Sequence, residues 1–316
     1  MKRIIKSAVA AVVASVLFIS CNEENANQEF WLGADLGWIT EYEALGYKFY
    51  NRNGQEMECT ALMKELGLNA VRHRVWVDPS KYGNWCSKED LLVKCQRAKA
   101  LDMEILLDFH YSDWWADPAK QNIPAAWSGH SYEQMKQDLW DHTVDVLNYL
   151  KDNDITPKWI QVGNETRNGF LWSVKSNELG WPIVDENGNT TITESMGHVV
   201  NNPEQYAGFF SIGYDACKSV FPESIVMVHL DNGFDKDLYD FNLGVLAVGD
   251  VDECACLTEF YGRVLAGNGC LSFSLFYRIL FIINDVKRTT GHLVNTGTLI
   301  QPIVIDAATF YQFLVS

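Results

Sequence analysis

Residues 159–165 read Trp159-Ile160-Gln161-Val162-Gly163-Asn164-Glu165, an apolar run that stops at a glycine and ends in an adjacent amide and carboxyl. Residues 132–151 before it and 203–220 after it repeat apolar positions three or four apart, the period of a helix with one buried face. The same alternation continues on both sides. Strand-like runs bounded by turn residues occupy 30–36, 70–75, 104–109 and 225–230, and helix-like stretches occupy 57–66 and 88–101. Strands that each lead into a helix imply a parallel sheet. The chain contains no G-x-G-x-x-G or G-x-x-x-x-G-K loop, so a nucleotide-binding open sheet is disfavoured and a β/α barrel is expected. Polar and aromatic residues gather at the C-terminal ends of these strands, the face on which such barrels carry their chemistry.

The composition agrees with a folded globular protein: 316 residues, 47% hydrophobic and 21% charged. A formal charge of -16 repels phosphate backbones and anionic lipid, which argues against nucleic-acid or membrane-surface partners. The 11 Trp, 13 Tyr and 16 Phe suit the apolar faces of sugars, although most aromatic side chains in any protein are core. A monomer is the working expectation.

Residues 1–20 have the form of an export signal, with Lys2, Arg3 and Lys6 ahead of an apolar run, Ala8 to Ile19, that is too short to span a bilayer. The run ends Ile19-Ser20-Cys21, which resembles a bacterial lipobox and predicts lipidation of Cys21 as the mature N-terminus, the alternative being ordinary signal cleavage. Residues 21–29 then form a polar tether, and any membrane association is through the lipid anchor alone, placing the protein in the cell envelope. The seven remaining cysteines are odd in number and lack paired C-x-x-C spacing, so neither a disulfide framework nor a zinc site is expected. One local bridge among Cys59, Cys86 and Cys95 stays open.

The main domain is expected over residues 30–253. Residues 173–201 turn polar, with a hairpin-like Asp185-Glu186-Asn187-Gly188-Asn189, and are read as an insertion that shapes a cleft. Residues 254–316 differ in kind: they hold three acids, four bases and no tryptophan, against 38 acids and 18 bases over residues 21–253. They are read as an atypical tail, from a shifted reading frame or an unrelated replacement, against the plainer reading of a less acidic barrel end.

A strand end holds a carboxylate rigidly, and Glu165 is the candidate general acid, with Asn164 beside it to bond a sugar hydroxyl. The plainer reading has Glu165 capping a helix or pairing with Arg167. Strand alternation puts Arg72 and Arg74 on one face, and Arg74 is the choice for holding a carboxylate ionised, unless it serves a purely structural ion pair. The stretch from Asp108 to Asp117 offers His110 and Asp113 as hydrogen-bonding groups and Trp114 and Trp115 as a stacking platform. Neighbouring tryptophans point apart in an extended loop, so one of the two is expected in the core. His110 has no second histidine at metal-ligand spacing. His229, Asp231 and Asn232 close the fifth strand as further cleft residues, or as a turn before Gly233.

Together these stretches resemble glycoside hydrolase family 53, the endo-β-1,4-galactanases, over roughly residues 30–246. The likeness is carried in order by Gly33-Ala-Asp35, Val71-Arg-His-Arg-Val-Trp76, residues 107–118, Gln161-Val-Gly-Asn-Glu165, Asn168-Gly169 with Trp172, and His229-Leu-Asp-Asn232. The resemblance implies a (β/α)8 barrel of the retaining glycosidase type, β-1,4-galactan as substrate, Glu165 as acid/base and no cofactor. A related barrel cutting xylan or mannan, and a galactan-binding remnant without catalysis, are the competing readings. The family's nucleophile is a glutamate at the end of the seventh strand in a Val-x-Glu-Thr-like context, and no such stretch occurs here. Glu259 is the only glutamate after Glu253, and it arrives before a sixth and a seventh strand could be completed. It is a weak candidate nucleophile. The late calcium-binding loop of bacterial members is also unmatched, so no metal is carried over.

Mass spectrometry of the membrane-extracted protein should show a diacylated N-terminal Cys21; an unmodified mature N-terminus beyond Cys21 would remove the lipid anchor.

Overall fold

The computed structural model describes residues 31–231 and 235–246, together with the backbone course of four later strands. The export segment, the tether with Cys21, Asn232 and all side chains after residue 246 lie outside the described residues. Five strands supply the front of the barrel: β1 (Gly33–Asp35), β2 (Ala70–Val75), β3 (Glu104–Phe109), β4 (Trp159–Val162) and β5 (Ile225–Leu230). Between them run α1 (Ile39–Ala44), α2 (Cys59–Glu65), α3 (Lys88–Ala100), α4 (Tyr132–Lys151) and α5 (Pro203–Val220), and α6 (Lys236–Leu246) follows β5.

Local chemistry sets these boundaries. Ser87 caps α3 by accepting from Asp90 N, and Ser131 with Gln134 forms a reciprocal capping box on α4. Pro203 opens α5, where a missing N–H is harmless. Every residue of β2 and β4 is buried, as expected for strands covered by helices outside and by packed side chains within. The exit of β1 is pinned from outside by the buried Lys94, whose Nζ donates to Gly37 O at 2.8 Å and pairs with Asp90 at 2.8 Å. Cys59, Cys86, Cys95 and Cys217 are buried free thiols, so no bridge forms among the first three.

Parallel pairing runs from β1 through β2, β3, β4 and β5 to a sixth strand, β6 (Glu253–Leu265). Glu259 therefore lies inside the sixth barrel strand, before that strand or the seventh is completed. The β/α repeat ends there. Residues 266–273 are all that separates β6 from β7 (Ser274–Thr289), whereas a parallel crossover needs about a dozen residues or more, so β7 pairs antiparallel with β6. β8 (His292–Asn295) pairs antiparallel with one end of β7, and β9 (Ile300–Asp306) with another part of it. β9 then lies parallel to β1 and closes the ring. The architecture is a β/α barrel whose last units depart from the repeat.

Residues 173–194 form an antiparallel ribbon that folds over the loop after β3: Val174 N donates to Asn122 Oδ1 at 3.1 Å and Asn122 Nδ2 to Ser176 Oγ at 3.3 Å. On the outer layer, α5 packs closely on β4, and a Cβ at Gly213 would stand 2.6 Å from Val162 Cγ1. Val162 is fully buried and stiff at χ1. Gly213→Ala should therefore destabilise the barrel by about 1–3 kcal/mol despite the better helix propensity of alanine. Urea unfolding should show a lower midpoint at unchanged slope.

Candidate active site

Pairing places Asp35 opposite Arg72, and Arg74, Asp108, Gln161 and Met227 in one row across β2 to β5. Alternation turns the polar members of this set into the barrel, where Arg72 is 3% exposed. Its Nη1 pairs with Asp35 Oδ2 at 2.6 Å and its Nη2 with Asp108 Oδ2 at 2.8 Å. The same guanidinium donates to Gln161 Oε1 at 3.1–3.2 Å and to Asn164 Oδ1 at 2.7 Å. Gln161 completes the cluster by donating to Asp108 Oδ1 at 2.5 Å. Arg72 is thus the arginine that gathers both carboxylates, and Arg74 adds to the charge that holds Asp35 ionised. Arg74 reaches Asp35 at 3.5 Å and lies 3.9 Å from the centroid of the Trp115 ring, which makes it the link between the ionic floor and the aromatic wall.

Burial pushes the Asp35 and Asp108 carboxyls toward protonation, but the arginines outweigh it and hold both below the ordinary carboxylate range. Burial also drives His110 downward, against the raising influence of Asp108. His110 Nδ1 accepts from Trp76 Nε1 at 3.3 Å and from Ala116 N at 3.2 Å, which leaves Nε2 as the protonated nitrogen, 3.0 Å from Asp108. Both ring nitrogens of this buried imidazole are therefore engaged within the protein, and His110 orients its neighbours.

Beyond β4 the chain turns sharply. Gly163 and Glu165 both have positive φ, 80° and 52°, and a Cβ at Gly163 would meet Thr166 Cγ2 at 2.6 Å. This strained turn is held on three sides. Glu165 N donates to His229 Nδ1 at 3.0 Å, and Gln121 Nε2 donates to Asn164 O at 2.7 Å. Thr166 Oγ1 donates to His229 O at 3.0 Å. Glu165 is 7% exposed and Asn164 5% exposed at the C-terminal end of the barrel. Asn164 Nδ2 donates one hydrogen to Ala116 O at 2.8 Å, and the carboxamide has a second N–H. Arg167 pairs at 3.2 Å with the buried Asp231. Asn232 lies outside the described residues.

Trp114 and Trp115 are both half-buried, so neither is the core residue expected of one of them. They pack around Trp76, with centroids 4.8 and 5.9 Å away, and Trp114 stacks on Tyr82 at 3.8 Å. Asp113 has both oxygens occupied by backbone donors, Asp78 N at 3.0 Å and Ala125 N at 2.8 Å. Burial raises its pKa, and those two N–H groups oppose the rise. It braces two loops, and each of its oxygens keeps a further lone pair. Asp35, Arg72, Asp108, Gln121 and Gln161 were missed as site residues although all but Gln121 stand in the quoted motifs. Among the described residues no three His, Cys, Asp or Glu side chains converge as a metal site.

The lowered pKa values of Asp35 and Asp108 carry a stability term that is fully present above the unfolded carboxyl value of 3.8 and is lost as pH falls below it. Arg72→Met removes the cation shared by two buried carboxylates, which should cost about 3–5 kcal/mol at neutral pH. Circular dichroism against pH should place acid unfolding of the variant at higher pH than that of the unaltered chain.

A family model described as glycosyl hydrolase family 53 matches residues 31–253. A probable arabinogalactan endo-beta-1,4-galactanase A of Aspergillus fumigatus is 30% identical over 271 residues, 84% of this chain and 63% of the relative. The endo-beta-1,4-galactanase of Bacillus subtilis is 33% identical over 217 residues, 64% of this chain and 49% of that enzyme. A solved structure from work on two fungal beta-1,4-galactanases superposes with a TM-score of 0.58 at 29% identity, covering 68% of this chain and 58% of that one. The chain thus spans about half to three fifths of the length of these relatives. With a family match over most of its length and a barrel of the corresponding form, the chain belongs to glycosyl hydrolase family 53.

Proposed function

We propose that this site belongs to an endo-acting, retaining hydrolase of β-1,4-galactan, in which Glu165 is the acid/base. The observation that carries the reading is the clamped turn after β4: Glu165 sits on a positive-φ backbone fixed by His229, while Arg72 orients the adjacent Asn164. A carboxyl held in this way keeps its position through both halves of a double displacement, first giving a proton to the leaving oxygen and then taking one from water. The second N–H of Asn164 serves the sugar hydroxyl next to the reacting carbon. Trp114 and Trp115, backed by the buried Trp76, supply flat apolar surface for the sugar rings. Family relatives named as galactanases support galactan over xylan or mannan.

The partner carboxylate is the open half of the mechanism. A retaining site needs two carboxyl groups about 5 Å apart. Strand β7, which occupies the seventh place in the ring, contains no glutamate, and Glu259 lies one strand earlier. The family match ends at residue 253, where the composition also changes, which supports reading residues 254–316 as a replacement that does not supply the nucleophile. The N-terminal sequence supports export as a lipoprotein anchored through Cys21.

Purified chain assayed on galactan, xylan and mannan for both cleavage and binding should bind galactan selectively. It should release reducing ends orders of magnitude more slowly than an enzyme with both carboxylates. Cleavage of xylan with galactan untouched would overturn the substrate. Turnover of galactan at ordinary enzymatic rates, abolished by Glu259→Gln, would make Glu259 the nucleophile.

A further inference from the structure

Within the ribbon of residues 173–194, residues 177–181 form a tight turn that presents Trp181, 50% exposed. This turn is rigidly built. Asn177 Oδ1 accepts from Leu179 N and Trp181 N, both at 3.0 Å, and Asn177 N donates to Trp181 O at 2.9 Å. Gly180 has φ 82° and approaches the aromatic wall so closely that a Cβ there would stand 3.2 Å from Trp114 Cδ1 and 3.3 Å from the Tyr82 hydroxyl. Lys81 Nζ donates to Glu178 O and ties the turn to the loop after β2.

Beneath Trp181 lies Lys120, itself 1% exposed and paired with Asp117, with its Nζ 5.2 Å from the ring centroid. Lys120 precedes Gln121, the side chain that holds the backbone of Asn164. The indole is therefore braced by a buried cation on the loop that supports the catalytic turn, and it follows directly on the residue that touches Trp114 and Tyr82. The ring is thus held on one side and left half in water on the other.

From this geometry we infer that Trp181 is an outlying sugar-stacking position, extending the aromatic wall of Trp115, Trp114 and Tyr82 along a bound galactan chain. The inference rests on the galactan reading of the cleft and adds to it a residue that acts on long chains alone. The flat face of an indole complements the C–H face of a galactose ring, and a neutral polysaccharide meets no repulsion from an acidic protein.

Binding to polymeric β-1,4-galactan and to galactotriose, followed by affinity electrophoresis and titration calorimetry with the full chain, tests this. Trp181→Ala should weaken binding of the polymer by about tenfold and leave galactotriose unchanged, with Trp181→Tyr recovering most of the loss. Unchanged polymer binding by Trp181→Ala overturns the inference while leaving the cleft reading intact. So does an equal loss for both ligands, or a failure of Trp181→Tyr to recover. An unaltered chain that binds neither ligand overturns the galactan reading and this inference with it.

Discussion

The buried guanidinium of Arg72 is the interaction on which the rest of the site depends. It joins Asp35 on β1, Asp108 on β3 and the amide pair Gln161 and Asn164 at β4, so one side chain on β2 spans four barrel strands. A lone cation at 3% exposure would be expelled or would draw in water; two carboxylates and two amide oxygens make its burial tolerable. The dependence also runs the other way, since Arg72 is the largest charge holding both carboxylates ionised. Such a cluster is satisfied in one arrangement only, and a shift of register by one residue would turn every member toward the helices. The ionic floor therefore fixes the strand register, and the register fixes where the turn of Asn164 and Glu165 emerges.

Much of the barrel was legible in the sequence because its elements are long and sharply bounded. The expected strands 70–75, 104–109 and 225–230, and helices 132–151 and 203–220, coincide with those of the fold. The short α1 escaped notice because six residues carry less than two helical turns of pattern. Side-chain partnerships were less legible. Arg72 and Arg74 share a face by alternation, and nothing local distinguishes the one that meets two carboxylates from the one that lies against an indole. Asp113 has the residue type of a sugar ligand, yet two backbone N–H groups from distant loops claim its oxygens. Gln121 holds the turn of Asn164 and Glu165 from 43 residues away in sequence, a separation that no spacing rule covers.

The closure of the barrel separates folding from chemistry. A ring of strands needs backbone partners at every edge, and β6, β7 and β9 provide them although one of the three runs against the rest. Backbone pairing is indifferent to which side chains a strand carries, so a foreign or altered segment with enough β-forming residues can close the sheet. Catalysis is not indifferent in this way. On the proposed reading the acid/base half is supplied by residues before 253: Arg72, Gln121 and His229 hold Asn164 and Glu165. On the same proposed reading the nucleophile half belongs to the seventh place in the ring, where the strand direction is reversed and no glutamate stands. Reversal of that strand also exchanges its ends, so that a carboxylate at its C-terminal end would emerge on the opposite face of the barrel from Glu165. A single glutamate substituted there would not complete the pair; parallel direction and residue type have to be restored together.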